Sequence, residues 1–399
     1  MNRAYTVTFW LFISVNIFLA LMGIYSVMMF VVLLFALLGI SERLFEALNI
    51  NPPTLLNLRV TISALCLIFF IAELVLRTYP GLQSYSESMG SIFYRSAYQN
   101  NFRPTRSWLH IRTPSISKTE TREEYQHSII TNSEGLRDIE HSKTKKPGEF
   151  RIIALGDSFT EGAGVESIES TWVKILERSL NKRENSQITT IINGGVAGSD
   201  PLYEFVLLKE KLIEYQPDLV LLNINLSDID DVIINGGNER FNPDGTVTLR
   251  NAPWFEPLFG SSFLCRLFVF KVLQYDYRLL SPAERKLEDD KAMGSIVDCI
   301  TDFEKYATSH NFKMALIIHP TMEEVATNQS GMEELAQRIK SSCSVAVLDL
   351  LEYFVEDVKM DQSNVYDYYW PIDRHHTELG YKVYAEGVER KLIELQLIK

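Results

Sequence analysis

Five short apolar runs constrain this chain most: Arg151–Leu155, Ile188–Ile192, Leu219–Ile224, Lys313–His319 and Val345–Leu350. Helical patterns lie between them. Glu166 to Arg183 carries Ile168, Trp172, Ile175, Leu176 and Leu180 at helical spacing, and Leu202–Tyr215, Met293–Ser309 and Met332–Ser342 follow the same rule. Short apolar strands alternating with helices of this length predict βαβ units and a mostly parallel five-stranded sheet with helices on both faces. Ligands of such sheets bind beyond the carboxyl ends of the strands. Pro147-Gly148 marks the start of this domain, which runs over 148–399. The gap from Asp231 to Lys291 has no strand pattern. Its Trp254–Phe259 and Phe263–Leu273 stretches predict an inserted helical segment over about 232–290 with a large apolar face. Docking onto the domain accounts for that face more simply than a membrane-surface or substrate-binding role.

The N-terminal end follows different rules. No charged residue occurs between Ala4 and Ser41. As one helix this run would be about 57 Å long, against roughly 30 Å of bilayer hydrocarbon. Two spans meeting near Gly23-Ile24-Tyr25-Ser26 fit better, over about 4–22 and 26–41, with a third over about 60–77 interrupted by Glu73. The loop from Glu42 to Arg59 contains Pro52-Pro53. A signal peptide would have a shorter apolar core and a small-residue cleavage site. Residues 1–80 therefore read as a transmembrane anchor whose partner is the lipid bilayer. Three spans with Arg3, Arg43 and Arg59 on the cytoplasmic side put the remainder outside, as in a bacterial inner-membrane protein facing the periplasm. Two spans would return it to the cytoplasm, and the Lys/Arg counts are too close for the positive-inside rule to choose. Glu73 is expected near the interface or against a neighbouring helix. Residues 81–147 are polar with weak periodicity, apart from a β-like His127–Thr131, and read as a connecting segment that packs onto the following domain.

A net charge of −12, with no basic patch interleaved with aromatics, argues against a nucleic-acid partner. Cys66, Cys265, Cys299 and Cys343 are widely spaced, with no Cys-x-x-Cys pair, and leave a disulfide open among the last three.

The first strand of the domain ends in Gly156-Asp157-Ser158-Phe159-Thr160. A serine between a strand end and a helix projects its hydroxyl from the sheet edge, where backbone N–H groups face a developing negative charge. Asp157 and Ser158 are equally suited to closing a turn and capping a helix. The second strand ends in Asn193-Gly194-Gly195-Val196-Ala197-Gly198-Ser199-Asp200, where glycines permit close backbone approach. The third ends in Asn223-Ile224-Asn225-Leu226-Ser227-Asp228, which would also cap a helix. Near the C-terminus stands Asp373-Arg374-His375-His376. An imidazole can take the proton of a serine, and a carboxylate can fix its tautomer. Adjacent histidines can also ligate a metal, but no accompanying ligand set is present, so no metal or cofactor is expected.

Taken in order, Gly156-Asp157-Ser158-Phe159-Thr160, Asn193-x-Gly195-Val196-x-Gly198, Pro217-Asp218-Leu219-Val220 with Asp228-x-x-Asp231, and Asp373-x-His375-x-x-x-x-Gly380 resemble the SGNH/GDSL hydrolase superfamily. Asn132-Ser-Glu-Gly-Leu-Arg137 looks like a lead-in of membrane-anchored bacterial members. The resemblance runs from about Thr131 to the C-terminus. It implies a flavodoxin-like three-layer α/β/α fold with Ser158 as nucleophile, His375 as general base and Asp373 as its orienting carboxylate. His375 is preferred because its spacing to Gly380 fits the family pattern, with His376 as the alternative base. The backbone N–H groups of Ser158 and Gly198 would be oxyanion donors. The family's usual third donor is an asparagine, but Ser227 fills its slot here. Asn225, on the same side of an extended strand, or Ser227 itself, is the expected substitute. The implied activity is a membrane-anchored serine esterase removing an acyl group, such as acetyl, from an envelope glycan or lipid. An O-acyltransferase with the same triad, or a catalytically weakened glycan- or partner-binding module, are the alternatives. No oligomeric state follows from the residues.

Overall fold

The computed structural model describes residues 47–48, 52–77, 111–183, 187–243, 247, 259, 262–276 and 278–398. Seven strands form among them: β1 (Ser117–Thr121), β2 (Gln126–Ile130), β3 (Glu149–Leu155), β4 (Ile188–Asn193), β5 (Leu219–Ile224), β6 (Lys313–Ile318) and β7 (Ala346–Asp349). The last five make one sheet in the order β4-β3-β5-β6-β7, parallel throughout. That is the doubly wound, flavodoxin-like order, in which the chain leaves its first strand to one side and later crosses to the other. The switch point lies at the carboxyl ends of β3 and β5, near which Ala154 of β3 is paired with Asn193 on one side and Leu221 on the other.

Both faces of the sheet are buried, which is why its strands read as continuous apolar runs rather than alternating ones. Ile152, Ala154, Leu219, Leu221, Ala315 and Ile317 pack into a core with Trp172, Leu176 and Leu180 of the helix Trp172–Lys182 and Tyr381, Tyr384 and Val388 of the helix Glu378–Glu394. The intervening Ile153, Leu155, Val220, Leu222, Leu316 and Ile318 are buried on the opposite face. Beyond them Phe205 of the helix Pro201–Glu210 stacks on Phe303 of the helix Pro282–Ser309, with ring centroids 4.8 Å apart.

Residues 101–250 and 288–399 form one compact unit, so the segment ahead of β3 belongs to the sheet domain. Within it, β1 and β2 make an antiparallel hairpin with Ser117 opposite Ile130. Only the second of these strands shows in the sequence, because Ser117–Thr121 is polar and mostly exposed. An isolated two-stranded hairpin is marginally stable. This one is fastened by the buried guanidinium of Arg137, which donates to the carbonyls of Ser128, Glu161, Gly162, Val165 and Glu166.

Residues 1–100 and 251–287 form the other unit. A helix runs over Pro52–Arg77. It starts at the Pro52-Pro53 pair expected in a loop, since proline at the first helical positions costs no hydrogen bond. The buried Glu73 carboxylate accepts the N–H groups of Phe263 and Leu264 and the Ser262 hydroxyl, and so caps the helix Phe263–Leu267. Among the described residues no helix is long and apolar enough to cross a membrane, the expected span over 60–77 included. The spans expected over 4–22 and 26–41 lie outside the described residues. Cys265, Cys299 and Cys343 are free thiols.

Candidate active site

Ser158 stands at the first residue of the short helix Ser158–Glu161, directly beyond β3. Asp157 caps that helix by accepting the Phe159 N–H at 2.9 Å, and Asn225 Nδ2 donates to its other oxygen at 3.0 Å. Burial pushes the Asp157 carboxyl above its ordinary pKa against these two donors. The turn after β4 lies against the same helix. Val196 N–H donates to Gly156 O, and Ser199 N–H closes the turn on Val196 O. Among the described residues these bonds leave the N–H groups of Ser158 and Gly198 without a backbone acceptor. Gly198 has φ 71°, in the left-handed region.

Gly195 is the point of closest approach. A Cβ there would lie 2.2 Å from the Glu161 nitrogen and 2.5 Å from the Thr160 carbonyl carbon. Gly195→Ala must therefore drive the turn off the helix and displace Gly198 from Ser158. We expect a loss of about 1–3 kcal/mol, read as a lower urea midpoint, together with a fall in turnover. Unchanged values for both would show that the turn can yield.

The loop before the last helix supplies the other two residues. His375 Nε2 lies 2.7 Å from Ser158 Oγ, and His375 Nδ1 is hydrogen-bonded to Asp373 Oδ1. Burial opposes ionisation of Asp373. The hydrogen bond and charge of His375, with the Tyr125 hydroxyl, outweigh it and hold the carboxyl below its ordinary pKa. The Phe159 ring sits over the imidazole with centroids 4.7 Å apart. Ser158, His375 and Asp373 thus form one hydrogen-bonded chain across residues 217 and 2 positions apart in sequence.

His376 does not reach Ser158. It is wholly buried, with Nδ1 on the Tyr368 carbonyl and Nε2 2.8 Å from His319 Nε2. Burial lowers its pKa from 6.5 to about 3 and drives His319 well below its usual value as well. A proton on His376 Nδ1 makes its Nε2 the acceptor and requires His319 to be the Nε2–H tautomer. Because the folded pKa of His376 lies below the unfolded one, its contribution to stability is complete above pH 6.5 and lost as pH falls toward about 3. His376→Gln should flatten the pH dependence of unfolding free energy in that window by up to about 1.4 kcal/mol per pH unit. An unchanged slope would contradict a neutral buried His376.

The remaining oxyanion candidates separate. Asn225 is fully buried beneath the turn. Its amide nitrogen is on Asp157, and its carbonyl oxygen accepts both the N–H and the hydroxyl of Ser227. The side chains of Asn225 and Ser227 meet as expected, but not by strand alternation: β5 ends at Ile224 and Leu226 is already helical, with φ −61° and ψ −29°. Ser227 is the partly exposed member of the pair. Among the described residues no group of three or more His, Cys, Asp or Glu side chains is placed to hold a metal ion.

Sequence reasoning missed the hairpin that reaches this site. Tyr125 OH donates to Asp373 Oδ1 at 3.0 Å, and the Glu124 carboxylate accepts the N–H groups of Ile372 and Asp373. The available signal was weak: the β-like His127–Thr131 and a charged Arg-Glu-Glu-Tyr stretch before it.

The parallel sheet, the Gly-Asp-Ser turn at its switch point and the Ser158–His375–Asp373 chain are the arrangement that the resemblance to the SGNH/GDSL hydrolase superfamily implied. No family model matches the chain. An arylesterase of Vibrio mimicus is 32% identical over 78 residues, or 20% of this chain and 38% of that protein, so the chain spans well under two thirds of its length. Among solved structures, a two-domain esterase active on acetylated mannans aligns at 14% identity and TM-score 0.39, over 63% of this chain and 51% of that one. A putative lipolytic protein of the G-D-S-L family from Desulfitobacterium hafniense DCB-2 aligns at 16% identity and TM-score 0.35, over 61% and 99%. An acetylxylan esterase from Geobacillus stearothermophilus aligns at 12% identity and TM-score 0.38, over 61% and 94%.

Proposed function

We propose that the chain is a serine esterase, attached to a bilayer by its N-terminal region, that removes a short acyl group such as acetyl from an envelope glycan or lipid. The observation that carries the chemistry is the 2.7 Å contact between Ser158 Oγ and an imidazole nitrogen whose ring partner, Nδ1, is held by Asp373. In this reading His375 Nε2 takes the Ser158 proton as Oγ bonds the acyl carbon. The Ser158 and Gly198 N–H groups meet the oxyanion. His375 then gives its proton to the departing alcohol. Water, deprotonated by the same nitrogen, releases the acid and restores Ser158. Asp373 stays ionised and stabilises the imidazolium that forms. The arylesterase similarity supports ester chemistry for the stretch it covers.

Bilayer attachment rests on the uncharged run from Ala4 to Ser41; an exterior site would need a third crossing beyond it, which the hydropathy of Pro52–Arg77 does not supply. The detergent-solubilised full chain should react with a fluorophosphonate probe at Ser158 and hydrolyse p-nitrophenyl acetate. Absence of both in folded protein would overturn the esterase. Faster probe-ester turnover with an added sugar acceptor, and an acylated sugar as product, would convert it to a transferase. A C-terminal reporter active only in the cytoplasm would fix two crossings, and one active only outside would fix three.

A further inference from the structure

Asp373 and His375 sit on the loop that leads into the helix Glu378–Glu394. Arg374, between them, has φ 68°, a left-handed conformation that costs a non-glycine residue roughly 1 kcal/mol or more. Two bonds within the loop hold the turn: Trp370 N–H to His375 O and Arg374 N–H to Trp370 O, both at 2.8 Å. Beside the Arg374–Glu323 ion pair and the Thr377 N–H to Tyr368 O bond, further support comes from the β1–β2 hairpin. Glu124 accepts Ile372 N–H at 3.0 Å and Asp373 N–H at 2.8 Å, which fixes the peptides on the approach to Arg374. The Tyr125 ring stacks on Trp370 with centroids 5.5 Å apart, while Trp370 Nε1 donates to Gly164 O. Tyr125 OH and His375 Nδ1 both bind Asp373 Oδ1, so one oxygen is fixed from two directions.

The same hairpin is anchored on the nucleophile side. Arg137 bridges Ser128 O of β2 to the carbonyls of Glu161 and Gly162, at the exit of the Ser158 helix. His127 Nδ1 is 3.2 Å from Val165 O. One element thereby spans both halves of a site whose components lie more than two hundred residues apart in sequence.

We propose that the β1–β2 hairpin is a positioning element of the hydrolytic site, in which Tyr125 and Glu124 set the place and orientation of the Asp373 carboxylate and, through it, the tautomer and aim of His375. Neither residue touches the reacting atoms. This rests on the esterase reading above. The titratable and charged groups facing Asp373 are His375 from its own loop and Tyr125, Glu124 and Arg122 from the hairpin turn. The Tyr125 hydroxyl withdraws charge from Oδ1. Without it the carboxylate is a stronger partner for the imidazolium.

Tyr125→Phe keeps the ring stacked on Trp370 and removes only the hydroxyl. With p-nitrophenyl acetate, kcat should fall on the order of tenfold with KM nearly constant, and the acidic limb of the kcat/KM profile should move to higher pH. Glu124→Ala should lower kcat by a similar factor. Glu124→Gln, which retains an amide oxygen as acceptor, should recover most of it. Thermal unfolding of each variant separates loss of fold from loss of position. Wild-type protein that labels and hydrolyses, with Tyr125→Phe identical in kcat and pH profile, overturns the positioning role alone. Wild-type protein that neither labels nor hydrolyses overturns the esterase reading and the positioning role with it.

Discussion

Ser158→Ala should abolish fluorophosphonate labelling and reduce ester hydrolysis by about four to six orders of magnitude, to what the oxyanion donors and binding alone provide. The alanine leaves the sheet and the Asp157 cap intact, so unfolding free energy should change little. His375→Ala should cost a comparable factor, because Ser158 is then a hydroxyl with nothing to take its proton. The double variant should be scarcely worse than either single one, since the pair acts as a unit. His376→Ala provides the contrast. That side chain is wholly buried against His319 and the Tyr368 carbonyl, so its loss should lower stability rather than remove Ser158 reactivity. Full labelling of Ser158→Ala would move the nucleophile elsewhere. Abolished labelling in folded His376→Ala, with His375→Ala active, would exchange the two histidines.

Asp373→Ala is expected to have the next largest effect, about 10⁴ in kcat. With Asp373 gone, His375 Nδ1 loses its acceptor. The ring can then turn, or carry its proton on Nε2, and in that tautomer it cannot accept the proton of Ser158. The loss should be smaller than for Ser158 because the carboxylate acts through the imidazole and makes no bond to the substrate. Asp373 is held below the ordinary carboxylate pKa, so it stays charged well into the acid range. A variant within tenfold of wild type would show that Asp373 is dispensable and that Tyr125 or the loop backbone orients the histidine by other means.

Much of the architecture is legible along the chain because the sheet is buried on both faces. Ile152–Leu155 and Leu219–Ile224 can only be continuous apolar runs, and their ends are marked by Gly156 and Asn225. The choice of His375 over His376 was suggested by spacing, but adjacent residues on a loop point in directions that spacing does not fix. Hydrogen bonds to Ser158 and His319 respectively separate them. Asn225 and Ser227 do meet, but through a backbone that has already turned helical past Ile224 rather than through strand alternation. Least visible was β1–β2. Polar Ser117–Thr121 carries no periodic signal, and what makes the hairpin matter is a set of contacts with residues some 248 positions away.

The sequence by itself determined the strand–helix alternation, the Gly-Asp-Ser turn at a strand end and the uncharged N-terminal run. All three are local: each depends on which residues stand within a few positions of one another, and so on pattern and backbone preference. Only the tertiary structure decided which histidine meets Ser158, that Asn225 is buried under Asp157, and that a polar hairpin holds Asp373. Each of those is a hydrogen bond between segments joined by parallel crossovers. Where such segments meet is set by burial of the sheet as a whole, which no short stretch of sequence records.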